Sequence, residues 1–313
     1  MASKNESLVM EFVIVGFPGS TGLQFLLFSL LLVSYLLTLL SNISIIIITW
    51  QERCLQTPMY FYLRSFSFLE VCYITVTVPK ILATITLHGR FISFTGCMTQ
   101  LFFFFFLSST ECFLLGVMAY DRYLAICYPL QYSSLMTPLL CHKLSISSWI
   151  VGFTTTFPPI LLISKLPFCS NFVNHFFCDA PPLLKISCVD TFLNDVLDFI
   201  CASMVIVTSF TVTVFSYVFI IVTVLKIPTT EGRRKAFSTC GAHLTVVLIY
   251  YGTVIFMYVR PKVGFTFTVN RVVSVFYVVI TPILNPIIYC LRNKEVKNSA
   301  KKYLIKLFYQ SFS

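Results

Sequence analysis

"TECFLLGVMAYDRYLAIC", residues 110–127, decides the fold. Most of it suits a helix in hydrocarbon, yet it carries Glu111, Asp121 and Arg122. A charge at the centre of a membrane helix costs about 2.5–3.5 kcal/mol on insertion scales, so three of them need a reason. Each helical residue turns about 100° and rises about 1.5 Å, which puts Glu111 and Arg122 within about 20° of each other and about 16 Å apart on one face. Ionisable residues inside spans turn toward the bundle interior. The stripe then reads as an apolar wall at Phe104 and Ser108, a mid-membrane acid at Glu111 and a cation at the rim. Asp121 gives Arg122 a charge-assisted partner. The spacing alone equally allows two interfacial charges that end a helix.

Working outward, the whole 313-residue chain has this character, with 57% hydrophobic and only 11% charged residues. A soluble domain has about 25% charged residues, so the bilayer is the solvent here. A helix needs about 20 apolar residues to cross, and charge-poor intervals supply seven. They run from about Leu23 to Trp50, Pro58 to Leu82 and Cys97 to Tyr123, then between Lys143 and Lys165, Asp198 and Lys226, Lys235 and Arg260, and Arg271 and Arg292. The expected fold is an all-α membrane protein, a seven-transmembrane helix bundle. Residues 1–22 form an extracellular N-terminus, 23–292 the bundle and 293–313 a cytoplasmic tail. In that tail, Val296, Tyr303, Leu304, Leu307 and Phe308 among lysines predict a short amphipathic helix on the inner leaflet.

Orientation follows from the basic residues. Thirteen of the 22 Lys and Arg fall on the side of the C-terminus and eight on the other, which makes the C-terminus cytoplasmic. The basic excess is thus a topology signal, and no nucleic-acid partner is implied. Asn5-Glu6-Ser7 is a glycosylation acceptor on the outer side. The outer side also holds Cys97, Cys169, Cys178 and Cys188, enough for two disulfides in three connectivities. Three of these lie in the one long loop, about 164–197, whose length and cysteines suit an ordered lid. His175-Phe176-Phe177-Cys178-Asp179 has metal-ligand residue types, but a cysteine in a disulfide does not ligate, and no metal site is expected. No nucleophile–base constellation appears, so no enzyme is expected. A transporter would need inverted repeats and broken helices with polar midplane residues, and the chain has no visible repeat.

Five stretches, in order, carry a resemblance: "TPMYFYLRSFSFLEVCY" (57–73), "MAYDRYLAIC" (118–127), "HFFCDAPPLLKISC" (175–188), "KAFSTCGAHLTVV" (235–247) and "PILNPIIYCLRNKEV" (282–296). Together they resemble rhodopsin-like G-protein-coupled receptors in the spelling of olfactory receptors, over nearly the whole chain. The resemblance implies that Asp121 holds Arg122 at rest and that Arg122, within Asp121-Arg122-Tyr123, meets a G protein when released. It makes Tyr217 and Tyr289 switch tyrosines and Asn285-Pro286 a kink that binds water between helices. It pairs Cys97 with Cys178 and Cys169 with Cys188. It brings Glu70 and Glu111 together in the bundle centre. There a sodium ion, a shared proton and a plain acid hydrogen-bonded to Asn42 or Asn285 are all compatible with the sequence. No other cofactor is implied.

For the ligand, the resemblance places Phe104, Phe105, Ser108, Ser109 and Cys112 in a pocket with Cys201, Ala202 and Val205. Tyr251, Val254, Ile255 and Tyr258 come from the sixth span, and Val275 and Val278 from the seventh. Receptors for amines carry an acid at the place of Phe104. The mostly apolar wall here suits a small uncharged organic molecule, unless Asp198 reaches in as a counter-ion. Tyr250 stands where the family usually has Phe. The implied partners are an odorant, a heterotrimeric G protein and membrane lipid. The implied activity is odorant-driven stimulation of an olfactory-type G protein, raising cyclic AMP, at the plasma membrane. Another ligand class, such as a peptide or an amine, is the alternative.

Overall fold

A computed structural model describes residues 9–16, 19–86, 89–258, 281–292 and 296. The elements are β1 (Glu11–Ile14), α1 (Thr21–Gln51), α2 (Pro58–Ile85), β2 (Phe91–Ser93), α3 (Phe94–Cys127), α4 (Tyr132–Leu135), α5 (Pro138–Ile163), β3 (Phe172–Val173), α6 (Ala180–Leu184), α7 (Phe192–Leu225), α8 (Thr230–Tyr258) and α9 (Thr281–Arg292). The fold is an all-α seven-helix membrane bundle. Five of its helices, α1, α2, α3, α5 and α7, are long and apolar enough to cross a membrane among the described residues. Asn5, the tail helix expected over 293–313, and residues 271–280 of the seventh span lie outside the described residues.

The sequence explains both the starts and the outward faces of these helices. Ser20, Ser93 and Thr137 cap α1, α3 and α5, each side-chain oxygen accepting from the backbone N–H three residues on. Pro58 and Pro138 open α2 and α5, where a missing N–H costs nothing. Along α1, Leu26, Leu30, Val33, Leu37 and Leu40 form one stripe, all more than half exposed. In water that stripe would be a liability; in a bilayer it is the lipid face. Hydroxyls inside the spans close onto their own helices. Thr77 donates to Tyr73, Thr110 to Phe106, Ser209 to Val205 and Thr213 to Ser209 carbonyls, at 2.7–2.9 Å. They therefore reach hydrocarbon depth with their donors satisfied.

α3 is the central element and packs against α2, α5, α7 and α8, while α9 packs on α1, α2 and α8. The α3–α5 approach depends on Gly152, because a Cβ there would collide with Thr110.

Several helices outrun the spans expected from charge. α7 begins at Phe192, so Asp195 and Asp198 sit on the helix itself. α5 begins at Pro138, so Lys143 is inside its first turns. Charges mark where hydrocarbon ends, while a helix continues until its backbone finds other partners.

One end carries a feature that hydropathy does not reveal, a three-stranded sheet of order β2-β1-β3. β1 runs antiparallel to β2, with Phe12 facing Ile92, and parallel to β3, with Ile14 facing Val173. Phe12 and Ile14 point into a small core with Leu101, Ile163, Phe168 and Val173, and both are fully buried. Glu11 is exposed, so four residues are enough to show a period of two. After β1 the chain turns at Gly16, whose φ of 73° suits glycine. Gly16 N–H donates to the His175 carbonyl at 3.0 Å.

Two disulfides complete this end, Cys97–Cys178 and Cys169–Cys188, with Cα atoms 5.5 and 5.0 Å apart. The first fastens the long loop to α3. Gln100, one turn further along α3, reinforces it: its carbonyl accepts from Cys178 N–H at 3.1 Å and its amide donates to the Val76 carbonyl of α2 at 2.9 Å.

Candidate functional site

Beneath this disulfide-held loop lies a cavity between α2, α3, α5, α7 and α8. The cavity volume is ≈ 70 Å³. Ligand pockets commonly run to about 300–1,000 Å³, so the occupant is small. From α3 come Phe104, Phe105, Ser108, Ser109 and Cys112. From α7 come Asp198, Cys201, Ala202, Val205 and Ile206. From α5 come Thr155, Thr156, Pro159 and Ile160, with Tyr73 from α2 and Tyr250 from α8.

The aromatic side of the wall is continuous with the loop above. The Phe104 ring meets Tyr73 at 5.6 Å, Phe105 at 5.1 Å and the loop residue Phe177 at 5.0 Å. The deep side is polar but already bonded. Tyr250 donates to the Ser108 carbonyl at 2.9 Å and lies 3.3 Å from the Cys112 sulfur. Ser109 and Thr156 hydroxyls are 3.4 Å apart, and Thr155 donates to the Val151 carbonyl at 2.8 Å.

All the residues expected from α3 and α7 are in this wall. Tyr251 is not. Its hydroxyl donates to the Cys112 carbonyl at 3.3 Å and its ring lies 5.2 Å from Phe210. The wall takes its neighbour Tyr250 instead, one residue and about 100° away. The α5 contribution was missed altogether; the adjacent Pro158-Pro159 after Thr154-Thr155-Thr156 was the available signal. The side chains of Val254, Ile255 and Tyr258, and residues Val275 and Val278, lie outside the described set.

Deeper in the bundle, Glu70 and Glu111 are buried. Asn285 donates to one oxygen of Glu70, whereas Asn42 donates to the Thr38 carbonyl of its own helix at 3.0 Å. Among the described residues, the second Glu70 oxygen and one Glu111 oxygen have no hydrogen-bond partner, and no cluster of three or more His, Cys, Asp or Glu is placed to hold a metal. Two buried acids with two unbonded oxygens fit a proton or a single monovalent cation.

At the far end of α3, Arg122 and Asp121 are 7% and 1% exposed. The guanidinium donates to Asp121 through Nε at 3.0 Å and through a second nitrogen, Nη2. Tyr132 of α4 donates to the other Asp121 oxygen at 2.7 Å, and Met59 of α2 accepts from Arg122 at 2.8 Å. A buried, multiply bonded pair is not a frayed helix end, so the interfacial alternative is set aside. Tyr217 of α7 is buried 2.7 Å from His243 Nδ1 of α8, with the rings 12° from parallel. Tyr123 is half-buried, its ring among Tyr120, Tyr128 and Phe219 and packed on the cluster of Ala119, Tyr217 and Ile220. Pro286 lies inside α9, and the Tyr289 side chain is outside the described set.

The loop over the cavity holds a buried acid of its own. Asp179 caps α6, accepting from Ala180 N–H at 2.8 Å. Burial pushes its carboxyl up to about 7; the Ala180 N–H opposes this and the nearby Asp198 charge adds to it. An acid whose folded pKa exceeds its unfolded value of about 3.9 favours the fold when protonated. That contribution is fully present at low pH, declines as pH rises from about 4, and levels off above about 7. Asn caps helices as well as Asp does but cannot ionise. Thermal midpoints of the full-length protein in lipid discs should therefore show wild type losing stability relative to Asp179→Asn between pH 5 and 7. A difference that stays flat across that range refutes the assignment.

The description "Olfactory receptor" belongs to the family model that matches residues 30–307. Olfactory receptor 6B9 of Mus musculus is 51% identical over 300 residues, 96% of this chain and 95% of that protein. Olfactory receptor 6B1 of Homo sapiens is 48% identical over 303 residues, 96% of this chain and 97% of that protein. Olfactory receptor 6P1 of Homo sapiens is 51% identical over 296 residues, 94% and 93%.

Proposed function

The chain belongs to the olfactory receptor family, a multi-pass, non-enzymatic membrane receptor family, and from that premise we propose that it detects a small, mostly apolar, uncharged molecule in the cavity beneath the loop. The loop end faces outward at the plasma membrane. The Asp121–Arg122 end faces the cytoplasm and engages a stimulatory, olfactory-type G protein, raising cyclic AMP. The observation that carries this reading is that one helix, α3, holds both a wall of the cavity and the buried Asp121–Arg122 pair. Cys112 and Arg122 are separated by about 15 Å of helix rise.

α8 is the natural carrier between them. Tyr250 and Tyr251 tie it to α3 at the cavity floor, and His243 ties it to Tyr217 of α7 two turns further along. A rigid shift of α8 changes all three contacts together. The ligand works only through its different affinity for the two arrangements. Arg122, released from Asp121, would meet the G protein; Tyr217 and Tyr289 would repack around it, with Asn285-Pro286 as the hinge of α9.

A panel of small volatile organic molecules on cells carrying a cyclic AMP reporter tests the reading. At least one uncharged member should evoke a response that peptides do not. Ala202→Trp fills a cavity of this size and should abolish that response with surface display within about twofold of wild type. A full response in Ala202→Trp would place the ligand somewhere else.

A further inference from the structure

The cavity wall is hydrocarbon, thiol and hydroxyl except at one place. Asp198, Cys201, Ala202 and Val205 recur at helical spacing on α7 and all line the cavity. Asp198 is the one nearest the loop and, among the described lining residues, the one carboxylic acid. Several hydroxyls of the wall already have protein partners. Tyr250 is bonded to Ser108, Thr155 to Val151, and Ser109 stands against Thr156. Asp198 also interacts within the protein, and a carboxylate has about four acceptor sites to share between its protein contacts and a ligand.

On the reading of this cavity as the ligand site, we propose that Asp198 selects molecules with an apolar body and one hydrogen-bond donor end over acceptor-only molecules of the same shape: an alcohol within the uncharged class, with an alkylammonium as the one charged exception that this carboxylate would balance. A donor placed at Asp198 forms a charge-assisted bond. The carbonyl of an aldehyde or the oxygen of an ether presents lone pairs to the carboxylate and is repelled. A site built around a polar group discriminates much more sharply than an apolar pocket can. The ligand body then lies along Cys201, Ala202 and Val205 toward Tyr250.

Matched sets of five- to eight-carbon 1-alcohols, 1-amines, aldehydes and methyl ethers test this. They are read by cyclic AMP in cells and by thermal stabilisation of the receptor in lipid discs, which reports binding without coupling. Wild type should prefer donor-bearing members by about tenfold or more. Asp198→Leu should weaken those members by about tenfold and leave aldehydes and ethers unchanged or improved. Asp198→Asn separates the two donor sources, since its carbonyl still accepts from an alcohol but has no charge for an ammonium. Equal weakening of all four sets by Asp198→Leu would reveal a merely structural residue and overturn the proposal, as would a wild-type preference for aldehydes. If no member of any set either stabilises or activates the receptor, the small-molecule reading of the cavity falls first, and this inference falls with it.

Discussion

Arg122→Ala should eliminate the ligand-evoked cyclic AMP response while leaving receptor at the cell surface. Arg122 is buried and bonded to Asp121 and Met59, close to the Tyr217–His243 contact. Alanine removes the buried cation that Asp121 holds between the helices and that is freed when they part. It also strands the Asp121 carboxylate with Tyr132 alone. Removing one member of a buried pair costs about 3–5 kcal/mol, so some loss of surface display is expected too. Asp121→Asn is the complementary control: it leaves the cation in place but weakens its restraint, and should raise signalling without ligand. Surface labelling alongside the reporter separates the two effects. A normal evoked response from Arg122→Ala would remove this residue from the signalling path.

The second large effect concerns the loop. The Cys97–Cys178 bond closes a separation of 81 residues and Cys169–Cys188 one of 19. On the chain-entropy account these stabilise by about 4.5 and about 3 kcal/mol. Both are upper limits here, because membrane insertion already restrains the unfolded chain. Cys97→Ser with Cys178→Ser should reduce correctly folded surface receptor by about tenfold or more, since about 1.4 kcal/mol is already tenfold. Cys169→Ser with Cys188→Ser should be milder. The first bond also positions Phe177 against Phe104, so receptor that does reach the surface should respond weakly. Equal surface levels for the two double variants would mean that Gln100 and the sheet hold the loop unaided.

The bundle was legible because the bilayer imposes one requirement on every span, a long apolar helix, and the chain meets it repeatedly. Asp121 and Arg122 were legible as a pair because they are adjacent. Their burial was not, since it depends on Tyr132 and Met59 arriving from α4 and α2. In the cavity wall, the α7 residues Cys201, Ala202 and Val205 follow a helical stripe that could be placed by analogy. α5 offered no such stripe, and its prolines make its phase hard to extend. Tyr250 and Tyr251 differ by one position, and only the packing of α8 decides which ring turns inward. Asp198 was read as the limit of a span, and the helix simply continues past it to Phe192. β1 was invisible because four residues cannot announce a strand until their neighbours are known.

That strand has a consequence for the order of assembly. Val13 sits between Phe91 and Phe172, so the middle strand is synthesised long before either of its neighbours. It must wait, with both edges unpaired, until α2 has been inserted for the first neighbour and α5 for the second. Unpaired strand edges are sticky, and pairing across such separations is slow. The stretch around residues 11–14 is therefore left without its sheet partners through the insertion of the first helices. Its pairing with β3 can therefore close this end of the molecule before α7, α8 and α9 have been made.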